Sequence, residues 1–430
     1  MPFLTIRWPD RYRIDKTALL QRFAAVIGAV LLGLVAIAFA KSGEVAQQVF
    51  ARAFEASPWL AGAATPCVFV LVVGLTRRWF PEARGSGIPQ VMAAGHNPVA
   101  SAHGPLISLR TAFAKFIGTL AMLLGGGAVG REGPTVQISA ALMVAVHRWL
   151  RVPVNAGVII AGGAAGVAAA FNTPLAGVAF AIEELAAAFE QKVAVLVMAA
   201  VMISGLVSLG IAGDYVYFGA MTRQLAIRDI VTLAPVIGVL GGLAGGGFSR
   251  VLVAMAISKR RPFVMARAHP LALAFGCGLV VAVAGIASSG SSWGTGYETT
   301  RQLLSGQQAS LAFGPAKFVA TLATALSGAP GGIFAPSLSV GAGLGQIVAF
   351  FVKGEPSGAI VLLGVAAYFT GVVRAPLTAV IIVMEMTADR SMILPLFISA
   401  IVADWVSSKM CRAKLYHALS QGFRSAAEHH

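Results

Sequence analysis

Two stretches of this chain, 202 residues apart, carry nearly the same heptapeptide. Ala114-Lys115-Phe116-Ile117-Gly118-Thr119-Leu120 returns as Ala316-Lys317-Phe318-Val319-Ala320-Thr321-Leu322, with five of the seven residues identical. The same shift carries Pro134 onto Pro336, Pro174 onto Pro376 and Glu183 onto Glu385. A register kept without a gap over this distance means that the chain is a doubled unit. Its fold must therefore bring two like halves together. In an apolar chain, a doubled unit points to a transporter whose site lies where the halves meet.

The apolar character is strong. Hydrophobic residues make up 57% of the chain and charged residues 11%, against about 25% charged in an ordinary soluble domain. Apolar runs at 24–40, 193–211, 230–247 and 271–287 each approach the length needed to cross a bilayer. An all-α polytopic membrane protein follows. The first run succeeds a basic stretch (Arg7, Arg11, Arg13, Lys16, Arg22) with no small-residue cleavage site, so it reads as a retained helix. The net charge of +15 comes from clusters at segment ends, such as Arg77-Arg78, Lys259-Arg260-Arg261 and Lys409/Arg412/Lys414. That is the pattern of positive-inside topology rather than of a nucleic-acid surface, and it puts both termini on the cytoplasmic side. Cys67, Cys277 and Cys411 have no metal-ligand spacing, and no metal or cofactor is expected. The expected organisation is a first repeat over 1–215 with an N-terminal cytoplasmic helix and a second over 216–420. A short tail over 421–430 is expected to end in a tag remnant, and the boundary falls near Asp214–Thr232.

Glycine and proline interrupt the apolar pattern at Gly85-Ser86-Gly87-Ile88-Pro89, Gly130-Arg131-Glu132-Gly133-Pro134, and Gly328 to Pro336. Proline suits a first helical turn and glycine the irregular backbone ahead of it, so all three breaks read as helix N-termini. Such an end presents unpaired N–H donors and about half a positive charge. Several aimed at one point would hold an anion without any full positive charge, which lets the ion leave again. The competing reading of each break alone is an ordinary kink or a close helix contact. Three breaks, two of them in repeat register, favour the anion site.

These residues resemble the CLC family of chloride channels and chloride/proton exchangers, in the prokaryotic form without CBS domains. The likeness rests on Gly-Ser-Gly-Ile-Pro at 85–89, Gly-Arg-Glu-Gly-Pro at 130–134 and Gly-Ile-Phe-Ala-Pro at 332–336. It includes Phe171-Asn172-Thr173-Pro174-Leu175-Ala176-Gly177 running into Glu183-Glu184, and Lys414-Leu415-Tyr416, in family order over roughly residues 20–420. The resemblance implies two inverted-repeat halves of tilted and broken helices, and a homodimer with one pore per subunit in the bacterial inner membrane. It implies chloride ligands at Ser86, Tyr416 and the backbone amides of Ile333 and Phe334. It makes Glu132 a gate whose carboxylate competes with chloride, and Glu184 the inner proton-transfer acid.

The residues themselves leave alternatives. Ser86 between glycines could be a helix cap, and Tyr416 an interfacial anchor. Glu132 could be a plain N-terminal acid worth about 0.3–1 kcal/mol to its helix. Glu183 and Glu184 are successive on a helix and cannot share a face. An acid at membrane depth costs about 2.5–3.5 kcal/mol on insertion scales, which makes it functional by default. The match selects Glu184 for proton transfer, and the repeat pairing of Glu183 with Glu385 suggests a structural role for that pair. Arg131, Gly133 and Lys115 would support the anion path, although Lys115 and Lys317 could equally snorkel to packing ends. Gln90 stands where many relatives carry glutamate.

By the same resemblance, Ser86 in place of proline points to chloride, with bromide and nitrate as secondary substrates, alongside protons and membrane lipid as partners. The resemblance likewise makes an acid at 184 a mark of exchange over a passive channel of the same fold. Catalysis is not expected: His96, His103, His147, His269 and His417 form no Ser/His pair or metal motif.

Overall fold

The computed structural model describes residues 16–185, 191–213, 218–219, 227–352 and 357–428. Most of the expected boundary stretch Asp214–Thr232, the first fifteen residues and His429-His430 lie outside these. Among the described residues, the regular structure is helical apart from one isolated bridge between Gly130 and Gly332.

The first half comprises α1 (Lys16–Ala56), α2 (Pro58–Trp79), α3 (Ile88–His96), α4 (Pro98–His103), α5 (Leu109–Leu124) and α6 (Glu132–Trp149). It continues with α7 (Ala156–Phe171), α8 (Pro174–Phe180), a π-helical turn at Ala181–Leu185 and α9 (Gln191–Ala212). The second half comprises α10 (Ile227–Ile257), α11 (Arg261–Ala268), α12 (Pro270–Ala287), α13 (Tyr297–Leu304) and α14 (Phe313–Ser327). It ends with α15 (Phe334–Phe351), α16 (Ser357–Val373), α17 (Pro376–Thr387), α18 (Ile393–Met410) and α19 (Leu415–Glu428). The sequence repeat is also a structural one. Helices α6, α8 and α9 begin at 132, 174 and 191, and α15, α17 and α18 begin 202 residues later at 334, 376 and 393.

The halves are inverted. Gly130 N–H donates to Gly332 O at 2.7 Å and Gly332 N–H donates back to Gly130 O at 2.8 Å. These glycines are repeat equivalents, so the bridge lies on the pseudo-two-fold axis. The acid Glu183, just past the end of α8, meets the start of α17, while Glu385 near the end of α17 meets the start of α8. Equivalent helices α8 and α17 therefore run antiparallel.

Helices α7 and α16, themselves repeat mates, form the centre and are buried over nearly their whole length. Lipid is as apolar as leucine, so close approach of small residues rather than apolar transfer drives such packing. A Cβ on Gly241 or Gly245 of α10 would come within 2.6 Å of α16 atoms at Ala367 and Gly371, closer than real contacts allow. A larger side chain there would separate α10 from the core.

Seven described helices are long and apolar enough to cross a membrane: α1, α2, α9, α10, α12, α15 and α18. Their outward faces expose large apolar side chains, among them Leu71, Met202, Leu243, Phe275 and Ile401.

Candidate functional site

Each of the three glycine-proline breaks starts a helix, and backbone pairing stitches the breaks to one another. Ile88 opens α3 behind Gly87, whose φ of 107° is left-handed and suits glycine. Glu132 opens α6, and Phe334 opens α15. Gly85 N–H donates to Ala329 O at 3.2 Å, and Gly331 N–H returns to Gly85 O at 3.1 Å. Together with the Gly130–Gly332 bridge, these bonds converge the N-terminal ends of helices from both halves. Gly133 permits the approach: a Cβ there would overlap the Ser86 hydroxyl and sit 3.3 Å from Gly332 Cα.

The charged residues nearby brace this framework. Lys115 Nζ donates to Gly85 O at 2.7 Å and to Arg84 O at 3.2 Å. Its repeat mate Lys317 donates to Gly294 O at 2.6 Å and to Ser292 O at 3.1 Å. Both lysines thus satisfy loop carbonyls instead of snorkelling. Arg131 turns away from the helix ends and pairs with Glu44 of α1 at 3.1 Å. Gln90 Nε2 donates to Glu82 O at 2.9 Å and Arg84 O at 2.7 Å, a task that a carboxylate could not perform.

Ser86 does not cap α3; the capping position falls on Gly87, and no side chain caps it. Its hydroxyl faces that of Tyr416. Both groups are buried, and neither finds a hydrogen bond of ordinary geometry among the described residues. Tyr416 is wholly buried, which removes the interfacial reading. Its ring lies 5.9 Å from that of Phe334, which also packs edge-on against Phe369 and Phe180. Ile333 and Phe334, as the cap and first residue of α15, keep N–H groups that no preceding helical carbonyl reaches. Two free hydroxyls and two amides can replace part of the hydration of a halide.

Glu132 is fully buried. One carboxylate oxygen accepts from the Tyr297 hydroxyl at 2.7 Å. The second oxygen lies beside Gly130, on the side where Ala335 N of the first turn of α15 also approaches, and makes no hydrogen bond of ordinary geometry among the described residues. The acid of one half thus sits beside the start of α15 in the other.

The paired acids diverge as helical geometry requires. Glu183 accepts from Leu377 N and Thr378 N at 3.1 and 2.7 Å and from the Thr378 hydroxyl at 2.8 Å, capping α17. Glu385 accepts from Leu175 N and Ala176 N at 3.1 and 2.8 Å, capping α8. Glu184 instead is buried and points toward α19, where His417 Nδ1 lies 3.6 Å and Lys414 Nζ 4.0 Å from its oxygens. Sequence reasoning singled out neither His417 nor Lys414 as Glu184's neighbours, although both flank Tyr416 at the start of α19. Tyr297 was missed as well. Its one local signal is the Gly294-Thr295-Gly296 turn before it, and nothing in that turn points to Glu132.

Two cavities that share no lining residue reach this point. One, of about 280 Å³, is lined by Arg77, Arg84, Ser86, Arg267, Ile333 and Tyr416. The other, of about 800 Å³, is lined by Lys41, Glu44, Arg131, Tyr297, Glu298 and Arg301. Glu132 is tied to the larger of the two through its bond to Tyr297.

The family model described as "Voltage gated chloride channel" matches residues 67–408. Three solved structures share the fold. A slow cyanobacterial Cl−/H+ antiporter is 22% identical, with 94% of this chain and 98% of that chain covered at a TM-score of 0.79. A CLC-type fluoride/proton antiporter is 24% identical, with coverage of 94% and 98% and a TM-score of 0.75. A eukaryotic CLC transporter is 22% identical, with coverage of 94% and 74% and a TM-score of 0.74. With three stitched helix starts at the meeting of two inverted halves, and a family match across most of its length, this chain is a multi-pass integral membrane protein of the voltage-gated chloride channel (CLC) family.

Proposed function

We propose that this protein is a secondary active antiporter that exchanges chloride for protons, working as a homodimer with one ion path in each subunit. The observation that carries the reading is the position of Glu132. A fully buried acid at the start of α6 leans its carboxylate on the start of α15, where donors are arranged for an anion. An ionised Glu132 is itself an anion and fills that place. Once protonated, it loses its attraction to the amides and yields to chloride. Proton and chloride thus compete through one side chain, which is a free-energy coupling between two ions.

Chloride is bound by the hydroxyls of Ser86 and Tyr416 and the amides of Ile333 and Phe334. Bromide and nitrate are secondary substrates, since the ligands are neutral donors without strong shape selection. Glu132 exchanges protons with the outer cavity that Tyr297 lines. Glu184 passes them to the inner side, where Lys414 and His417 flank it. Gly133 supports the path by allowing close approach, and Arg131 and Lys115 support it by bracing its walls. Residues 1–215 and 216–420 are the two repeats. The basic segment ends favour cytoplasmic termini in a bacterial inner membrane, and the exposed apolar faces of α9 and α18 suit burial against a second copy.

The test is proton movement in liposomes carrying the purified protein, driven by a chloride gradient with the membrane potential clamped. Uphill proton movement that disappears in Glu132→Gln and Glu184→Gln supports exchange. Chloride flux with no uphill proton movement in the parent protein identifies a passive channel of the same fold.

A further inference from the structure

The Tyr297 hydroxyl donates to the buried Glu132 carboxylate at 2.7 Å across the interface between the two halves. The turn that presents it is braced at several points. Lys317 Nζ holds the carbonyl of Gly294. The Gln47 amide oxygen accepts from Thr295 N and from its hydroxyl, both at 2.9 Å. Ser339 donates to Thr295 O at 2.9 Å, and Thr300 donates to Gly296 O at 2.9 Å. Gly296 adopts a left-handed φ of 80°, and a Cβ there would press on Ser339 and Lys317 at 2.8–2.9 Å. The Tyr297 ring is held edge-on by buried Phe218, with centroids 5.7 Å apart. So many restraints on one phenol mean that its position is set by the turn and not by Glu132.

We propose that Tyr297 is a positioning residue: its hydroxyl latches the Glu132 carboxylate over the start of α15 and so sets how readily chloride displaces it. The proposal rests on the gating role given to Glu132 above. A phenol O–H donates more strongly to a carboxylate than to a neutral carboxyl group, so the latch grips the ionised gate. Chloride must then compete with a carboxylate that Tyr297 holds beside the start of α15. The latch acts as a brake on exchange that is strongest when protons are scarce.

Other ionisable groups near Glu132 are fixed features of the same setting. They are Arg131 with its partner Glu44 from α1, Lys41, Glu298 and Arg301 around the outer cavity, and Tyr416 on the inner side. Helices α7 and α15, which pack beside α6, contain no ionisable side chain. Lys115 of α5 is turned to the carbonyls of Arg84 and Gly85.

The experiment is chloride exchange by purified Tyr297→Phe in liposomes, followed with a chloride electrode across a pH series and a chloride concentration series. Loss of the latch is expected to lower the chloride KM by about tenfold, the factor that corresponds to roughly 1.4 kcal/mol. The pH of half-maximal exchange is expected to move upward. A merely structural tyrosine would lower the maximal rate and move neither quantity, and that result overturns the proposal. The same substitution in a Glu132→Gln background should have no further effect on KM, because the double-mutant cycle then contains no carboxylate to latch. A KM change that persists there also overturns the latch. The two readings fail separately. If Glu132→Gln alone retains uphill proton movement, the gate is wrong. If it abolishes that movement while Tyr297→Phe leaves KM and pH profile unchanged, only the latch is wrong.

Discussion

Glu183 and Glu385 close each other's helices across the inverted repeat. Each lies 202 residues from the other in sequence and accepts the first backbone N–H groups of the helix in the opposite half. A carboxylate at a helix N-terminus satisfies orphan donors and complements the dipole together. Glu183→Ala and Glu385→Ala should therefore each destabilise the protein by about 1–3 kcal/mol, the cost of leaving such donors unpaired. Thermal unfolding in detergent checks this. Unchanged stability with lost proton coupling would mean that Glu183 belongs to the proton route instead.

Gly133 is one of the tight points of the helix junction. In Gly133→Ala the new methyl group would overlap the Ser86 hydroxyl and lie 3.0 Å from the Ser86 carbonyl oxygen. Overpacking of this kind costs about 1–3 kcal/mol, which is compatible with a folded protein. Chloride flux should fall strongly while the protein still elutes as a single species. Flux equal to the parent would show that the junction has slack and that Ser86 is not held where the anion is proposed to bind.

Gln90 donates both amide hydrogens to the loop before α3. Gln90→Glu replaces a double donor with a group that, when ionised, only accepts. The variant should lose about 1–3 kcal/mol from the two carbonyls left unpaired. Burial beside two carbonyl oxygens disfavours the ionised form. The loss should therefore shrink as pH falls from 8 towards 4, starting above the ordinary glutamate value of about 4.3, because the protonated carboxyl group regains one donor. A stability difference that stays flat from pH 4 to 8 would contradict this account.

His417 and Lys414 face buried Glu184 while remaining half-exposed themselves. Pairs so open to solvent are worth at most about 1 kcal/mol, or about fivefold in a rate. His417→Gln and Lys414→Gln should each slow proton movement within that range and leave chloride movement in place when protons are not limiting. Parallel recordings of the two ions check it. An equal loss in both would mean that α19 serves the anion path through Tyr416 rather than the acid.

The sequence by itself determined the doubling, the membrane class, the three broken helices and the divergence of Glu183 and Glu184 onto different faces. Those features are written in local terms: register, apolar runs, glycine before proline, and the 100° step between helical neighbours. What the sequence left open turned on contacts made across large separations. Whether Ser86 caps α3 was decided by Gly87 taking the capping position. Whether Tyr416 anchors at an interface was decided by its burial against Phe334. Lys115 and Lys317 found loop carbonyls 23 to 31 residues earlier, which no spacing rule predicts. The inversion of the halves appeared only when Gly130 met Gly332, and Tyr297 reached Glu132 only because a turn 165 residues away is braced beside it. In a bilayer every buried backbone and charged group must find its partner within the protein. Which partner it finds depends on how the helices pack, and that is fixed by the tertiary fold.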